Sequence, residues 1–107
     1  MSQEETRIQQ EILLRLGARR GIRVFRMNTG MAVDPSTGQR VRFGTPGMAD
    51  ILVLIRDRYV WLEVKTATGR QSEPQRNFQA AVRSIGGVCE VVRSADEADG
   101  VIACLLP

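Results

Sequence analysis

The residues of this sequence best suited to chemistry lie at the end of one strand-like run, YVWLEVK at positions 59–65. Glu63 and Lys65 are two positions apart, and alternate side chains of a β-strand share a face, so both are expected to point the same way. Lys65 is also the only lysine among the 15 lysine and arginine residues. Arginine effectively never releases its proton, whereas the pKa of lysine shifts readily with its surroundings. Position 65 is therefore a candidate for a titratable amine.

A second carboxylate, Asp50, is expected to meet this pair. Asp50 opens the largely apolar run 50–55, which has the character of a central strand covered on both faces. A tight turn at residues 57–58 would join that run to the next one as an antiparallel hairpin. Counted outward from the turn, Asp50 and Lys65 are each seven residues away. Asp50 would then reach Glu63 and Lys65 within the slack of one β-bulge.

Two carboxylates at one strand end repel each other unless a positive charge lies between them. A hard divalent cation, Mg²⁺ or Mn²⁺, binds one or two carboxylates together with water and substrate phosphate oxygens, and it can activate a water for attack on a phosphodiester. Lys65 would orient or deprotonate that water. The alternative is a structural Glu63–Lys65 pair on a solvated sheet face, worth about 0–1 kcal/mol. The matching position of Asp50 and the single lysine favour the metal site.

The composition limits the chemistry further. The 107 residues suffice for one domain, residues 1–107, with a single modest core, and 43% hydrophobic with 25% charged residues is typical of a globular protein. The absence of histidine excludes serine–histidine and cysteine–histidine nucleophiles and most zinc sites. The net charge of +3 is compatible with a polyanionic partner such as nucleic acid.

Signals of location favour the cytoplasm. No apolar run approaches the roughly 20 residues that a membrane span needs, so we expect no membrane partner. The first five residues are polar and acidic, unlike a signal peptide. Cys89 and Cys104 lack the CxxC spacing of a metal site, and we expect both to be buried reduced thiols.

The elements that must position the chemistry follow from hydrophobic periodicity and turn residues. The pattern predicts, in order, a helix at 4–17, a strand at 22–27, a projecting hairpin of 31–33 with 40–43, strands at 50–55 and 59–65, a helix from 72 to about 85, a strand at 88–92 and a short helix at 95–98. Residues 101–106 fit either a strand or a helical tail. This order predicts an α/β fold with a mixed central β-sheet flanked by α-helices.

The first predicted helix carries a further candidate acid. Its apolar stripe is formed by Ile8, Ile12, Leu13 and Leu16. Glu5 falls within that stripe, whereas Glu11 lies near its edge and Glu4 further out. Glu5 either faces a site at the core or only favours the helix dipole from the first turn.

Gln75 also has two interpretations. Ser72-x-x-Gln75 fits a capping box, in which Gln75 only ties back the start of the second helix. Alternatively, Gln75 faces the site from that helix while Phe78 packs into the core.

Four polar residues are candidates for contacts with nucleic acid. Arg26 and Asn28 end a strand in a turn with groups suited to phosphate. Arg40 and Arg42 share one face of the predicted hairpin, where they could lie along a nucleic-acid backbone or simply form a solvated edge.

Together these residues resemble the PD-(D/E)xK nuclease superfamily and, within it, the VRR-NUC (virus-type replication-repair nuclease) domain. The resemblance covers nearly the whole chain. One departure is that Ala49 stands where the superfamily has a proline before the aspartate, with Pro46 displaced upstream. The matching elements are Glu5-x-x-Ile8-Gln9, Arg26-x-Asn28-x-Gly30, Gly47-Met48-Ala49-Asp50, Glu63-Val64-Lys65 and Gln75-x-x-Phe78.

The resemblance implies a restriction-endonuclease-like core and a metal-dependent DNA endonuclease. Asp50, Glu63 and the main-chain carbonyl of Val64 would hold Mg²⁺ or Mn²⁺, with Lys65 as the catalytic lysine. Glu5 and Gln75 would fill the supporting helix positions. Short members of the family, typical of phage, act as homodimers on branched DNA such as four-way junctions. The remaining alternatives are a non-catalytic nucleic-acid-binding module on the same fold and a nuclease acting on generic duplex or RNA.

Overall fold

The computed structural model describes residues 2–27 and 30–106, with the side chains of all of these except residues 31, 42 and 43. Three helices and six strands lie within this part of the chain. They are α1 (Gln3–Gly17), β1 (Ile22–Arg26), β2 (Gly30–Val33), β3 (Arg40–Phe43), β4 (Ile51–Ile55), β5 (Arg58–Val64), α2 (Glu73–Ser84), β6 (Val88–Val92) and α3 (Ala95–Leu105).

The central sheet has the strand order β1-β4-β5-β6. The β1–β4 and β4–β5 pairs are antiparallel, and β5–β6 is parallel, so the sheet is mixed as the sequence predicts. Strands β2 and β3 form a separate antiparallel ribbon, which confirms the predicted hairpin. The apolar run of β4 lies in the middle of the sheet because it has a paired strand on each side.

The core lies between one face of the sheet and the pair α1 and α3. Its buried side chains come from α1 (Ile8, Ile12, Leu16), from β1, β4, β5 and β6 (Ile22, Ile51, Val53, Ile55, Val60, Leu62, Val64, Val92) and from α3 (Ala95, Ala98, Ile102). Burial of this apolar area is the main stabilising contribution to the fold. Arg15 reinforces the α1–α3 contact by donating to Asp96 at 2.6 Å and to Asp99 at 3.1 Å.

Helix α2 packs on the opposite face of the sheet. Side chains alternate along β5, so Trp61 and Glu63 point away from the core face that Val60 and Leu62 occupy. Phe78 of α2 meets Trp61 edge to face, with ring centroids 5.2 Å apart. None of the side chains of α2 is fully buried, so this helix covers its face loosely.

The turn between β4 and β5 differs from the prediction by one residue. Ile55 pairs with Arg58, so the turn is made by residues 56–57 instead of 57–58. Arg56 has a φ of 57°, the positive value that tight hairpin turns require. The register then places Ile51 opposite Leu62, and its continuation places Asp50 opposite Glu63, one of its two predicted neighbours, and two positions from the other, Lys65.

Helix α3 is longer than predicted. It begins at Ala95 after the N-cap Ser94 and continues to Leu105, so residues 101–105 are helical and the interpretation as a strand is wrong. Apolar residues at nearly every position near its end masked the helical period. Cys89 is buried as expected, but Cys104 is exposed, which contradicts the expectation for that thiol. No helix in residues 2–27 and 30–106 is long and apolar enough to cross a membrane.

Candidate active site

Asp50 and β5 are joined directly at the end of the central hairpin. One carboxylate oxygen of Asp50, Oδ2, accepts a hydrogen bond from the backbone N–H of Val64 at 2.8 Å. The main-chain carbonyl of Asp50 accepts from the N–H of Met27 at 2.8 Å, just beyond β1. Asp50 is thus held on one side by the end of β1 and on the other by the end of β5. Its carboxylate is fixed next to Glu63.

The segment before Asp50 lies against the first turn of α2. Gly47 has a φ of +77°, and a Cβ there would be 2.2 Å from the carbonyl oxygen of Pro74 and 2.7 Å from the nitrogen of Gln75. Only glycine combines this backbone conformation with so close an approach. Gly47 therefore allows the start of α2 to contact the loop that presents Asp50.

Glu63 is the most deeply buried acid of the site, with 2% of its surface exposed. Its Oε2 accepts from Nε2 of Gln71 at 3.4 Å. Its Oε1 is buried and has no hydrogen-bond partner among the described residues. A buried carboxylate oxygen without a partner is costly, so this atom is suited to a ligand that carries positive charge.

The surroundings raise the pKa values of both acids. Burial raises the pKa of Glu63 to about 7; Gln71 and Lys65 oppose this shift, and the charges of Asp50 and Glu5 add to it. Burial also raises the pKa of Asp50, against the opposing effects of the Val64 N–H and of Lys65. Both carboxylates would gain from a nearby cation because each is desolvated and lies close to the other's charge.

Lys65 immediately follows β5 and is half-buried. Its backbone N–H donates to the carbonyl of Val92 at 3.0 Å, which extends the parallel β5–β6 pairing by one residue. Alternation along the strand gives it the same face as Glu63. The ion pairs within residues 2–27 and 30–106 do not include Lys65, although its charge lowers the pKa of both Asp50 and Glu63. The charge of the amine thus acts on both acids although Lys65 forms an ion pair with neither of them.

The main-chain carbonyl of Val64 lies on the same strand edge as its N–H, because both groups of one strand residue point to the same side. That N–H donates to Asp50. The carbonyl oxygen, the Asp50 carboxylate and Glu63 therefore offer a hard oxygen donor set at one strand end. No group of three or more acidic or cysteine side chains within the described part of the chain is placed to enclose a metal. Two carboxylates and a carbonyl still fit Mg²⁺, which keeps several waters and takes few protein ligands.

Glu5 of α1 affects the two carboxylates of the candidate site electrostatically. It is half-buried, and its charge raises the pKa of both Asp50 and Glu63. Its backbone N–H donates to the N-cap hydroxyl of Ser2 at 3.1 Å. Glu4 is exposed, and Glu11 is engaged by Arg7 at 2.6 Å.

Two glutamines complete the surroundings, and only one was among the predicted site residues. Gln75 forms the capping box: its Oε1 accepts from the N–H of Ser72 at 2.8 Å, and its own N–H donates to the Ser72 hydroxyl at 3.3 Å. The residue that reaches Glu63 is instead Gln71, in the loop before α2. Sequence reasoning missed Gln71 because a single polar residue in a loop carries no periodic signal. It also gave no role to Gln9, one turn after Glu5 on α1, which is 1% exposed with an unpartnered Nε2 among the described residues.

The predicted nucleic-acid contacts are divided between the sheet and the ribbon. Arg26 is exposed at the end of β1, where it pairs with Ile51, the residue after Asp50. Arg40 is exposed at the start of β3 on the separate ribbon. Asn28 and the side chain of Arg42 lie outside the described residues.

Comparison with known proteins adds information about the fold. No family model matches the sequence, and no curated protein matches it. A solved structure described as "VRR_NUC domain" is similar, with a TM-score of 0.68 and 22% sequence identity, over 95% of this chain and 97% of the other. The likeness includes nearly every residue of both chains, so it extends to the whole arrangement of sheet and helices. This chain therefore has the restriction-endonuclease-like α/β fold of a VRR_NUC domain.

Proposed function

We propose that this protein is a metal-dependent DNA endonuclease that hydrolyses phosphodiester bonds. The observation that supports this most strongly is the pair Asp50 and Glu63, which meet at one strand end with Glu63 Oε1 buried and without a partner among the described residues. Both acids are desolvated and have raised pKa values, and the amine of Lys65 nearby forms no ion pair within the described residues. Such a combination is typical of a catalytic site. The likeness to a VRR_NUC domain supports the same chemistry by analogy of fold.

Asp50, Glu63 and the carbonyl of Val64 are the groups that would hold Mg²⁺ or Mn²⁺. When bound there, the cation would supply positive charge beside the scissile phosphate and lower the pKa of a coordinated water. The chain contributes the rigidity of this donor set, because the Val64 N–H fixes one oxygen of Asp50 and Gln71 fixes one oxygen of Glu63. Such fixed groups need no reorganisation when the substrate arrives.

Lys65 has the role of orienting the attacking water or accepting its proton. Its side chain is half-buried and shares a face with Glu63, which supports a role for the amine beside the acid pair. Glu5, whose charge acts on both carboxylates, would support the site from α1. Gln75 acts from the start of α2, where its capping box fixes the helix that meets the Gly47 loop.

The substrate we propose is branched DNA of the four-way-junction type, cleaved by a homodimer in the cytoplasm of a bacterial or phage-infected cell. The net charge of +3 and the exposed Arg26 and Arg40 favour a phosphate-rich partner. A homodimer with two-fold symmetry would match the two-fold symmetry of a four-way junction.

The test is cleavage by the purified chain of a four-way junction, linear duplex, single-stranded DNA and RNA with Mg²⁺, Mn²⁺ or EDTA. We expect cation-dependent nicking of the junction that Lys65→Ala and Asp50→Asn abolish. Arg7→Ala is the matched control for loss of one cation, because Arg7 is exposed and pairs only with Glu11 in the described structure. Cleavage that persists in EDTA, or in Lys65→Ala, would contradict the mechanism.

The alternative proposal is a nucleic-acid-binding module without catalysis. Salt-sensitive binding that Asp50→Asn leaves unchanged, together with an absence of nicking under every cation, would favour this alternative. Equal cleavage of linear duplex or of RNA would instead replace the junction as substrate while keeping the same active site.

A further inference from the structure

The loop from Thr66 to Gln71 connects the lysine of the site to the glutamine that contacts Glu63. It begins with a tight turn, in which the N–H of Gly69 lies 3.2 Å from the carbonyl of Thr66 and 3.1 Å from its hydroxyl. This turn lies against Lys65, because a Cβ on Gly69 would be 3.5 Å from Cδ of Lys65. The position of the turn therefore limits where the lysine stem can go.

Arg93, the residue that follows β6, holds this turn. A single guanidinium nitrogen, Nη1, donates to the carbonyl of Thr66 at 2.5 Å and to the carbonyl of Gly69 at 2.8 Å. The backbone N–H of Arg93 donates to Oε1 of Glu97 at 3.0 Å, which fixes Arg93 to the start of α3. Hydrogen bonds from a charged donor are roughly twice as strong as neutral ones, so this clamp ties the turn to the sheet and to α3.

The other end of the loop is held in a similar way. The carbonyl of Gln71 accepts from Nη1 of Arg76 at 2.8 Å, while its side chain donates to Glu63. Two arginines on different elements thus fix the two ends of the Thr66–Gln71 loop. The first end lies against the side chain of Lys65, and the second contacts the carboxylate of Glu63.

We propose that Arg93 is a positioning residue for Lys65. By holding the Thr66–Gly69 turn, it packs that turn against the lysine stem and keeps the amine directed toward Asp50 and Glu63. A lysine side chain has high rotamer entropy, so an unsupported amine would spend most of its time elsewhere. The role given to Arg93 rests on the proposed nuclease function, since it matters for catalysis only if Lys65 is the catalytic amine.

The test compares Arg93→Ala and Arg93→Lys with Arg83→Ala. Arg83 is the control because it too is an arginine that links two elements, α2 to β6 through Glu90 at 3.0 Å, but it has no hydrogen bond to the loop. For Arg93→Ala we expect kcat on the junction to fall about 10- to 100-fold with KM unchanged, as for other residues that support a reactive group. Arg93→Lys should have an intermediate kcat, because the lysine ammonium can reach one of the two carbonyls more easily than both. Arg83→Ala should retain the wild-type kcat.

A second readout needs neither DNA nor metal. Hydrogen–deuterium exchange of the backbone amides of residues 65–71 should accelerate in Arg93→Ala, while the amides of β4 and β5 exchange as in the wild type. Unchanged exchange at 65–71, or a kcat equal to the wild type, would overturn the role of Arg93. A rise in KM equal to the fall in kcat/KM would also overturn it, because that pattern indicates lost DNA binding.

Gly69→Ala tests whether the position of the same turn matters for Lys65, without removing a charge. The added methyl would be 3.1 Å from the Thr66 hydroxyl, so the turn must shift by a few tenths of an ångström, and it would lie in van der Waals contact with Lys65 Cδ at 3.5 Å. We expect a severalfold fall in kcat, whereas Gly100→Ala, with no heavy atom within 4 Å of its Cβ, should have none. Equal kcat values for both variants would oppose the proposal. If the wild type itself does not cleave, the nuclease function fails, whereas an active wild type with equally active Arg93 variants removes only the positioning role.

Discussion

Asp50 binds β5 through its side chain: Oδ2 accepts the N–H of Val64 at 2.8 Å, at the point where the backbone ladder between β4 and β5 has ended. The carboxylate thus takes the place of a main-chain acceptor and extends the pairing by one bond. This contact commits one oxygen of Asp50 to the strand end and sets its distance to Glu63. The acid pair is therefore part of the hairpin itself, and the central sheet holds it rigidly.

The burial of Glu63 predicts a specific dependence of stability on pH when metal is removed. Its pKa is about 7 in the folded chain against an ordinary 4.5, so between these values the folded state holds a proton that the unfolded state has lost. The free energy of unfolding should therefore fall as pH rises through this window, by about 3 kcal/mol in total.

Urea denaturation in EDTA at about pH 5 and about pH 8 measures this change. Glu63→Gln is the matched variant, since an amide cannot ionise and should lack this part of the loss. If the wild type and Glu63→Gln lose the same free energy between the two pH values, Glu63 does not titrate as described.

Divalent cations should stabilise the protein, and more so at high pH. Mg²⁺ or Mn²⁺ offsets the repulsion between ionised Asp50 and Glu63, which are charged together only above the raised pKa values. We expect the midpoint of thermal unfolding to rise with cation concentration, as for any ligand that binds the folded state alone. Asp50→Asn should abolish the rise. Asp57→Asn, at the exposed turn of the same hairpin, should keep it, and an equal response of both variants would argue against binding at Asp50.

Glu5→Gln should reduce cleavage, by about 10-fold or more, because Glu5 is the helix acid whose charge acts on Asp50 and Glu63. Glu11→Gln removes only an exposed pair with Arg7 and should change stability by less than about 0.5 kcal/mol. Single-turnover cleavage of the junction by the two variants, with Glu4→Gln beside them, distinguishes the three acids. A larger loss for Glu11→Gln than for Glu5→Gln would assign the role differently.

Gly47→Ala should destabilise the fold by about 3 kcal/mol or more. The substitution strains the backbone at a φ of +77°, and it also places a methyl 2.2 Å from the carbonyl oxygen of Pro74. Gly21 has nearly the same φ, +76°, but nothing within 4 Å of its Cβ. Gly21→Ala should therefore cost only the strain, about 1 to 2 kcal/mol. The difference between the two, measured by urea unfolding, isolates the contact between the Gly47 loop and α2, and equal losses would show that the contact contributes nothing.

The parts of the site that could be predicted are those set by strand periodicity. Alternation along β5 gives Glu63 and Lys65 one face, and the apolar run of β4 places Asp50 at its start. The turn was misplaced by one residue because Arg56, Asp57 and Arg58 are all polar and none is glycine. Only the left-handed φ of Arg56 decides the register, and a sequence does not display it.

The parts that could not be predicted depend on contacts across the fold. Arg93 reaches Thr66 and Gly69 from 24 to 27 residues away, and Gln71 reaches Glu63 through an irregular loop. Neither contact has a period or a spacing that a sequence pattern could reveal. The length of α3 was hidden for another reason: its last turns are apolar all round, so the buried repeat of Ala95, Ala98 and Ile102 does not stand out.

The unequal surroundings of the two cysteines make the unmodified protein suitable for attaching a single fluorophore. Cys104 is exposed at the end of α3, beside the turn of residues 56–57 and at the opposite end of the hairpin from Asp50. Cys89 is 1% exposed, and burial raises its pKa to about 11, so a maleimide at neutral pH should leave it unmodified. A dye at Cys104 would report association with DNA or with a second copy while every acid and the lysine of the site stay intact.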